Sequence, residues 1–275
     1  METAFLESER VALGETTFLT EYEGQFLAGG ANALFDADLV ASVTGKYTSL
    51  PASEGVGWVV GADFSFASDP TGLAVVGREK GKPDRLICAH VEKWQPRRTR
   101  HERRAAKSTI ERQEVQDVVL SRCAELSAAY GHCPVVSDQH MSQVVRDGLK
   151  SRGVAEVYVQ PWTAMTTRQA FQSLRSRMLA DKISLPADKD LAAELLRIRT
   201  KAGSGQATIE LPRTVASHCD VASALAAGCF RLEAKGLARP SRLFSAFTSA
   251  KGARVPVSNA AVDEMLSRPP VMGMR

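Results

Sequence analysis

The chain has 275 residues, of which 44% are hydrophobic and 24% charged, a composition that predicts a globular protein with one sizeable core. It contains no apolar run near the roughly 20 residues that cross a membrane and no N-terminal signal-peptide pattern. Its five cysteines include no CxxC pair, which favours a reducing compartment without disulfides.

Charge divides the sequence into three predicted parts. Residues 1–55 contain nine acidic and two basic residues and are predicted to be an acidic arm or linker with short helical pieces. Residues 236–275 contain six basic and two acidic residues among many Pro and Ser, which predicts a poorly ordered basic tail. Because the overall net charge is +4, the intervening domain, residues 56–235, is also basic. Such a balance permits a polyanionic partner without requiring one.

The central domain begins with three strand-like runs, at residues 57–64, 72–78 and 85–94. The turns between them contain Ser-Asp-Pro-Thr-Gly and Gly-Lys-Pro-Asp, which indicates an antiparallel meander. A long helix follows, from a capping box that starts at Ser108 to a stop at Gly131.

The pattern then changes to alternating strands and helices: strand 134–138, helix 141–152, strand 155–160, helix 164–181 and helix 188–201. The segment KAGSGQATIELP reads as a hairpin, and a helix rich in small residues covers 217–234. Three antiparallel strands followed by αβαβα predict an α/β fold with a five-stranded mixed sheet, helices on both faces and an added β-hairpin.

This topology brings acidic residues together. A right-handed crossover places strand 134–138 beside the first strand, so that Asp63 at the end of one meets Asp138 at the end of the other. Asp220 lies in the first turn of the last helix, whose alanines allow a close approach to the sheet.

Three such charges ~5 Å apart repel by roughly 10 kcal/mol at an effective dielectric of about 20, which is comparable to the stability of a domain. Taken singly, each aspartate is also compatible with a turn or a helix cap. Together they favour Mg²⁺ or Mn²⁺, and two such ions stabilise the attacking and leaving oxygens of a phosphodiester.

Three stretches carry a family resemblance: GADFSFASDPTGLAVVG, PVVSDQH and IELPRTVASHCDVASALAAG. They resemble, in order, the acidic motifs of the nuclease domain of the large terminase subunit of tailed bacteriophages, which has a ribonuclease-H-like fold. The resemblance covers about residues 57–235. It implies a Mg/Mn-dependent endonuclease that cuts concatemeric double-stranded DNA during packaging.

The resemblance also implies residue roles. Asp63, Asp138 and Asp220 would be the catalytic residues that hold two divalent cations, Mg²⁺ or Mn²⁺, with Asp69 as a supplementary ligand or supporting group. The family often has two acids after the motif's His, and here the first of these positions is Cys219, which leaves one fewer acid.

The same resemblance suggests an assembly. The partners would be an ATPase domain, a portal and a small terminase subunit, in the host cytoplasm at the procapsid. The chain contains no GxxxxGK[ST] phosphate-binding loop, so it is expected to supply the nuclease without the motor.

Further candidates have structural as well as functional interpretations. His218 could orient an acid or lie near an attacking water, and His140 follows Asp138 by two residues, but both could be purely structural. Basic residues of the connector after the third strand and of the hairpin could contact phosphates, or could be solvated surface. They are Arg97, Arg98, Arg100, Arg103, Arg104, Lys107, Lys201 and Arg213.

Two other functions remain open from sequence. A Holliday-junction resolvase or transposase-like nuclease would share the fold, and cleavage of branched rather than linear DNA would distinguish it. A noncatalytic DNA-binding assembly module would tolerate loss of the acids, and the presence of all three disfavours it.

Overall fold

The computed structural model describes residues 32–66, 69–95, 109–201, 207–212 and 218–234. Within these ranges the chain forms six helices and eight strands. The helices are α1 (Ala37–Val43), α2 (Thr109–Ala129), α3 (Ser142–Ser151), α4 (Ala164–Leu179), α5 (Lys189–Leu195) and α6 (Asp220–Ala234). The strands are β1 (Trp58–Asp63), β2 (Thr71–Glu79), β3 (Lys82–Trp94), β4 (Val135–Ser137), β5 (Val157–Val159), β6 (Ile183–Ser184), β7 (Arg199–Lys201) and β8 (Thr208–Glu210).

The main sheet has the order β5-β4-β1-β2-β3-β6. Strands β1, β2 and β3 form the antiparallel meander, while β4 pairs parallel with β1 and β5 parallel with β4. The mixed α/β fold and the position of the fourth strand beside the first are therefore confirmed.

Two details of the predicted fold are wrong. The sheet has six strands rather than five, because Ile183–Ser184 pairs parallel with β3, and two residues are too few to leave a periodic pattern. The helix expected over 188–201 ends at Leu195, and Arg199–Lys201 pairs with β8 instead. Pairing with β8 and an isolated bridge from Ala33 to Arg199 override the helical pattern there. The turn of the hairpin lies outside the described residues.

The core occupies both faces of the sheet. Along β1, Val59 packs with the layer formed by α1, α4, α5 and α6, whereas Val60 packs with α2 and α3. This alternation is the two-residue period of a strand that is covered on both sides. None of the helices in the described part of the chain has the length and apolar character needed to cross a membrane.

Part of the segment expected to be an acidic arm contributes to this core. Leu34 and Phe35 are buried, and α1 buries Leu39, Val40 and Val43 against the same layer. The sequence analysis did not anticipate this packing, and the boundaries proposed at residues 55 and 235 remain predictions.

Candidate active site

Two aspartates lie side by side where β1 and β4 end. Asp63 is the last residue of β1, and the parallel register with β4 runs through Ala62 and Ser137. The next residues along these strands are Asp63 and Asp138. Side chains along a strand alternate between the two faces of the sheet. Asp63 lies four residues after Val59 and Asp138 two residues after Val136, and both valines pack on the α6 side. The side chains of both aspartates are therefore directed to that side.

Asp220 joins them from above the sheet. It begins α6 and is only 5% exposed. Two strand glycines allow the helix to come this close. A Cβ atom added at Gly72, the β2 partner of Asp63, would lie 2.1 Å from the carbonyl oxygen of Asp220. One added at Gly61 would lie 2.0 Å from the carbonyl oxygen of Ala224.

Two of the three carboxyl groups act on the third, Asp63. Burial raises the pKa of Asp63 well above its usual range, and the charges of Asp220 and Asp138 raise it further. A hydrogen bond with Ser223 acts in the opposite direction and lowers this pKa. Burial is also the main cause that raises the pKa of Asp138 and of Asp220. The site thus disfavours three simultaneous negative charges unless positive charge is supplied.

Backbone amides hold two of these acids. The N–H of His140 donates to Oδ1 of Asp138 at 3.1 Å, and the N–H of His218 donates to Oδ2 of Asp220 at 3.2 Å. The imidazole of His218 lies 3.5 Å from Oδ2 of Asp69, measured from Nδ1. The structure therefore connects Asp69 to the aspartate trio through His218, whereas His140 is exposed and the contact it makes with Asp138 is through its backbone.

The predicted DNA-contacting residues are placed only in part. Lys201 is exposed at the end of β7, next to the hairpin turn. The basic connector at 96–108 and Arg213 lie outside the described residues, and their role remains a prediction.

Sequence reasoning missed a buried ion pair beside the trio. Glu194 is 1% exposed, and its Oε1 lies 3.0 Å from Nζ of Lys93 on β3. Its other oxygen accepts hydrogen bonds from the amides of Val221 and Ala222, at 2.8 and 3.0 Å. A signal was present, because Glu194 stands three residues after buried Leu191, on the apolar side of α5 where an acid is unexpected.

Cys219, just before Asp220, occupies a position where a carboxylate would be unfavourable. This residue is 1% exposed and adopts a left-handed backbone conformation with φ 62°. Its Sγ lies 3.7 Å from the carbonyl oxygen of Pro212 and 3.9 Å from that of Glu194. A carboxylate at this position would face carbonyl oxygens within the core.

The chemistry of this donor set fits a hard divalent cation. Carboxylate oxygens are the ligands that Mg²⁺ and Mn²⁺ prefer, and a bound cation would offset the burial and the neighbouring carboxylates that disfavour the charged form of Asp63. Among the described residues, no group of three His, Cys, Asp or Glu side chains lies close enough together to hold one metal ion. Binding would therefore require the carboxylates to draw together.

Comparison with solved structures identifies the fold. The large terminase nuclease of the thermophilic phage G20c aligns over 73% of this chain and 98% of its own, with 19% identity and a TM-score of 0.54. The large terminase nuclease domain of Thermus phage P74-26 aligns over 72% and 94%, with 20% identity and a TM-score of 0.53. The HK97 bacteriophage large terminase aligns over 71% of this chain but only 43% of its own, with 13% identity and a TM-score of 0.55.

These similarities place the chain in a structural class. It has the ribonuclease-H-like fold, in the form found in the nuclease domains of phage large terminases. At these identities the likeness establishes the fold and not the reaction. The G20c nuclease has also been crystallised with bound magnesium and with bound cobalt. No protein-family model matches the sequence, and no curated protein matches it significantly.

Proposed function

We propose that this chain is a metal-dependent DNA endonuclease, the nuclease part of a phage DNA-packaging terminase. The observation that carries the proposal is the convergence of Asp63, Asp138 and Asp220 from two strand ends and a helix start. A fold can tolerate one buried carboxylate as a cap or turn residue, but a buried carboxylate whose charged form two neighbouring aspartates disfavour further points to a ligand with positive charge.

Asp63, Asp138 and Asp220 would hold two Mg²⁺ or Mn²⁺ ions, with Asp69 as a supplementary group. Two divalent cations in such a site stabilise the charge on the attacking and leaving oxygens of a phosphodiester. The aspartates themselves position ions and do not act as general bases. His218, between Asp69 and Asp220, orients both acids.

The substrate would be concatemeric double-stranded DNA. Lys201 and the basic residues of the 96–108 connector would contact its phosphates, which fix the position of the duplex without reading its sequence. The partners would be a packaging ATPase domain, a portal and a small terminase subunit, in the host cytoplasm at the procapsid. The HK97 structure, of which this chain covers 43%, illustrates a nuclease fold within a longer terminase chain.

A plasmid-cleavage assay in Mn²⁺, Mg²⁺ and EDTA tests the proposal. Wild type is compared with Asp63→Asn, Asp138→Asn and Asp220→Asn, which keep side-chain volume and remove charge. Asp181→Asn is the matched control, because Asp181 is 74% exposed and pairs with Arg85. Its left-handed backbone conformation also suits Asn.

The expected result is metal-dependent cleavage by wild type and by the control. We expect that EDTA or any one of the three site substitutions abolishes it. Cleavage that survives the site substitutions would refute the proposed mechanism. Plasmid left intact by wild type under every metal condition, with folding verified, would point either to a domain that is silent without its motor or to the noncatalytic assembly module.

A further inference from the structure

We infer that the buried pair Glu194–Lys93 positions Asp220 for metal binding, an inference that rests on the proposed function. Neither residue belongs to the aspartate trio or to the motifs that carry the family resemblance. Both are nevertheless directed towards the first turn of α6, the element that supplies Asp220.

The contacts of Glu194 hold the N-terminal end of α6 rather than the side of the helix. The first amides of a helix have no partner within the helix and need an acceptor from elsewhere. Oε2 of Glu194 accepts from two of them, Val221 at 2.8 Å and Ala222 at 3.0 Å. These residues directly follow Asp220, so the Glu194 carboxylate sets where the backbone of Asp220 lies relative to the sheet.

Lys93 balances the negative charge of the buried Glu194 carboxylate. Its side chain is 13% exposed and its ammonium lies 3.0 Å from Oε1 of Glu194, whose side chain is 1% exposed. Lys93 pairs across the sheet with Gly72, the residue over which the backbone of Asp220 passes. The ion pair thus joins β3, α5 and α6 at the point where the helix meets the sheet.

Both oxygens of Glu194 already have partners in the scaffold. One oxygen accepts hydrogen bonds from two backbone amides and the other lies against an ammonium group, so Glu194 supports the backbone of the site. It is therefore a positioning residue and not a ligand. Groups that hold metal ligands in place typically change metal affinity or activity by about 10-fold to 100-fold when they are altered.

The test measures Mn²⁺ binding to the full chain by electron paramagnetic resonance of the free ion, beside plasmid cleavage at saturating Mn²⁺. Glu194→Gln keeps the shape of the side chain and one acceptor oxygen but removes the charge that balances Lys93. Glu233→Gln is the matched control. Glu233 is likewise a glutamate in an ion pair, with Arg177, but it is only partly buried and lies at the other end of α6.

We expect Glu194→Gln to weaken Mn²⁺ binding by about 10-fold or more, whereas Glu233→Gln binds as wild type does. In the double variant Lys93→Met/Glu194→Gln, no unbalanced ammonium remains, and part of the affinity returns. Circular dichroism and thermal unfolding verify that each variant folds. This rescue separates positioning from a general loss of stability.

Failure of the positioning inference and failure of the nuclease proposal give different results. If wild type binds Mn²⁺ and cleaves DNA, but Glu194→Gln binds the ion as tightly as Glu233→Gln, the positioning inference is overturned and the nuclease proposal stands. If wild type binds no Mn²⁺, both are overturned.

Discussion

Replacement of Gly72 by alanine is the sharpest test of how the fold builds the site. A Cβ at this position would lie 2.1 Å from the carbonyl oxygen of Asp220, 2.2 Å from its carbonyl carbon and 2.5 Å from the amide nitrogen of Val221. All three are backbone atoms that cannot rotate away. Relief therefore requires α6 to move from the sheet by about 1 Å, since ordinary carbon contacts begin near 3.5 Å.

This displacement has two expected consequences. Overpacking of a core typically costs about 1–3 kcal/mol, which in a domain of this size lowers Tm by roughly 5 °C. A catalytic group misplaced by about 1 Å can lose about 100-fold in rate. Gly72→Ala is therefore expected to reduce metal-dependent cleavage far more than its modest destabilisation would explain at temperatures well below its Tm.

The assay compares thermal unfolding and plasmid cleavage for Gly72→Ala and Gly57→Ala. Gly57 immediately precedes β1, and a Cβ there would meet no described atom within 4 Å, so alanine should leave both measurements near wild type. Gly61→Ala provides a second site of the same kind, with a clash against Ala224 farther along α6. Cleavage by Gly72→Ala at the wild-type rate, with an unchanged Tm, would refute the close-approach argument.

Three more outcomes are expected. Burial and neighbouring carboxylates raise the pKa of Asp63, so the protonated form stabilises the folded state below the ordinary Asp pKa, and this stabilisation is lost as pH rises through the raised value. Asp63→Asn in EDTA should therefore unfold at a higher temperature than wild type at pH 8, with a gap that closes towards pH 4; a pH-independent gap would contradict this. Cys219→Asp should lower the free energy of unfolding by about 1–3 kcal/mol without tightening Mn²⁺ binding, because the new carboxylate would face carbonyl oxygens; tighter binding in a metal titration would count against the structure. Alanine at Arg97, Arg98 and Arg100 should weaken DNA binding and reduce the salt-dependence slope by about one unit per lost phosphate contact, as measured by fluorescence anisotropy at several salt concentrations; an unchanged slope would exclude these contacts.

The order of the core elements could be predicted because each leaves a periodic signal. The meander and the long helix have apolar patterns long enough to identify, and chirality then fixes the crossover strand β4 beside β1. The positions of Asp63 and Asp138 follow directly from that pairing. Short elements gave no such signal: Ile183–Ser184 is defined only by its partner β3, and Arg199–Lys201 only by the hairpin.

The placement of the three aspartates was predictable, and the contacts that support them were not. Aspartates at strand ends are visible in a sequence once the topology is known. The Glu194–Lys93 pair is not, because its members are 101 residues apart and meet only through tertiary packing. Patterns in the sequence reflect residues that are close along the chain, so they do not reveal contacts between three separate elements. The burial of Leu34 and Phe35 was missed for the same reason.

The trio is built from parts of unequal rigidity. Asp63 and Asp138 extend from hydrogen-bonded neighbouring strands, so the sheet fixes the separation of their backbones while their side chains can still draw together. Asp220 has no such ladder, and its place depends on the glycine contact below α6 and on the acceptor that Glu194 provides. Variants that disturb α6 should therefore change the position of one proposed ligand while leaving the other two in register. Metal affinity is then the quantity most sensitive to them, because an ion requires all its ligands at once whereas the fold requires only the core.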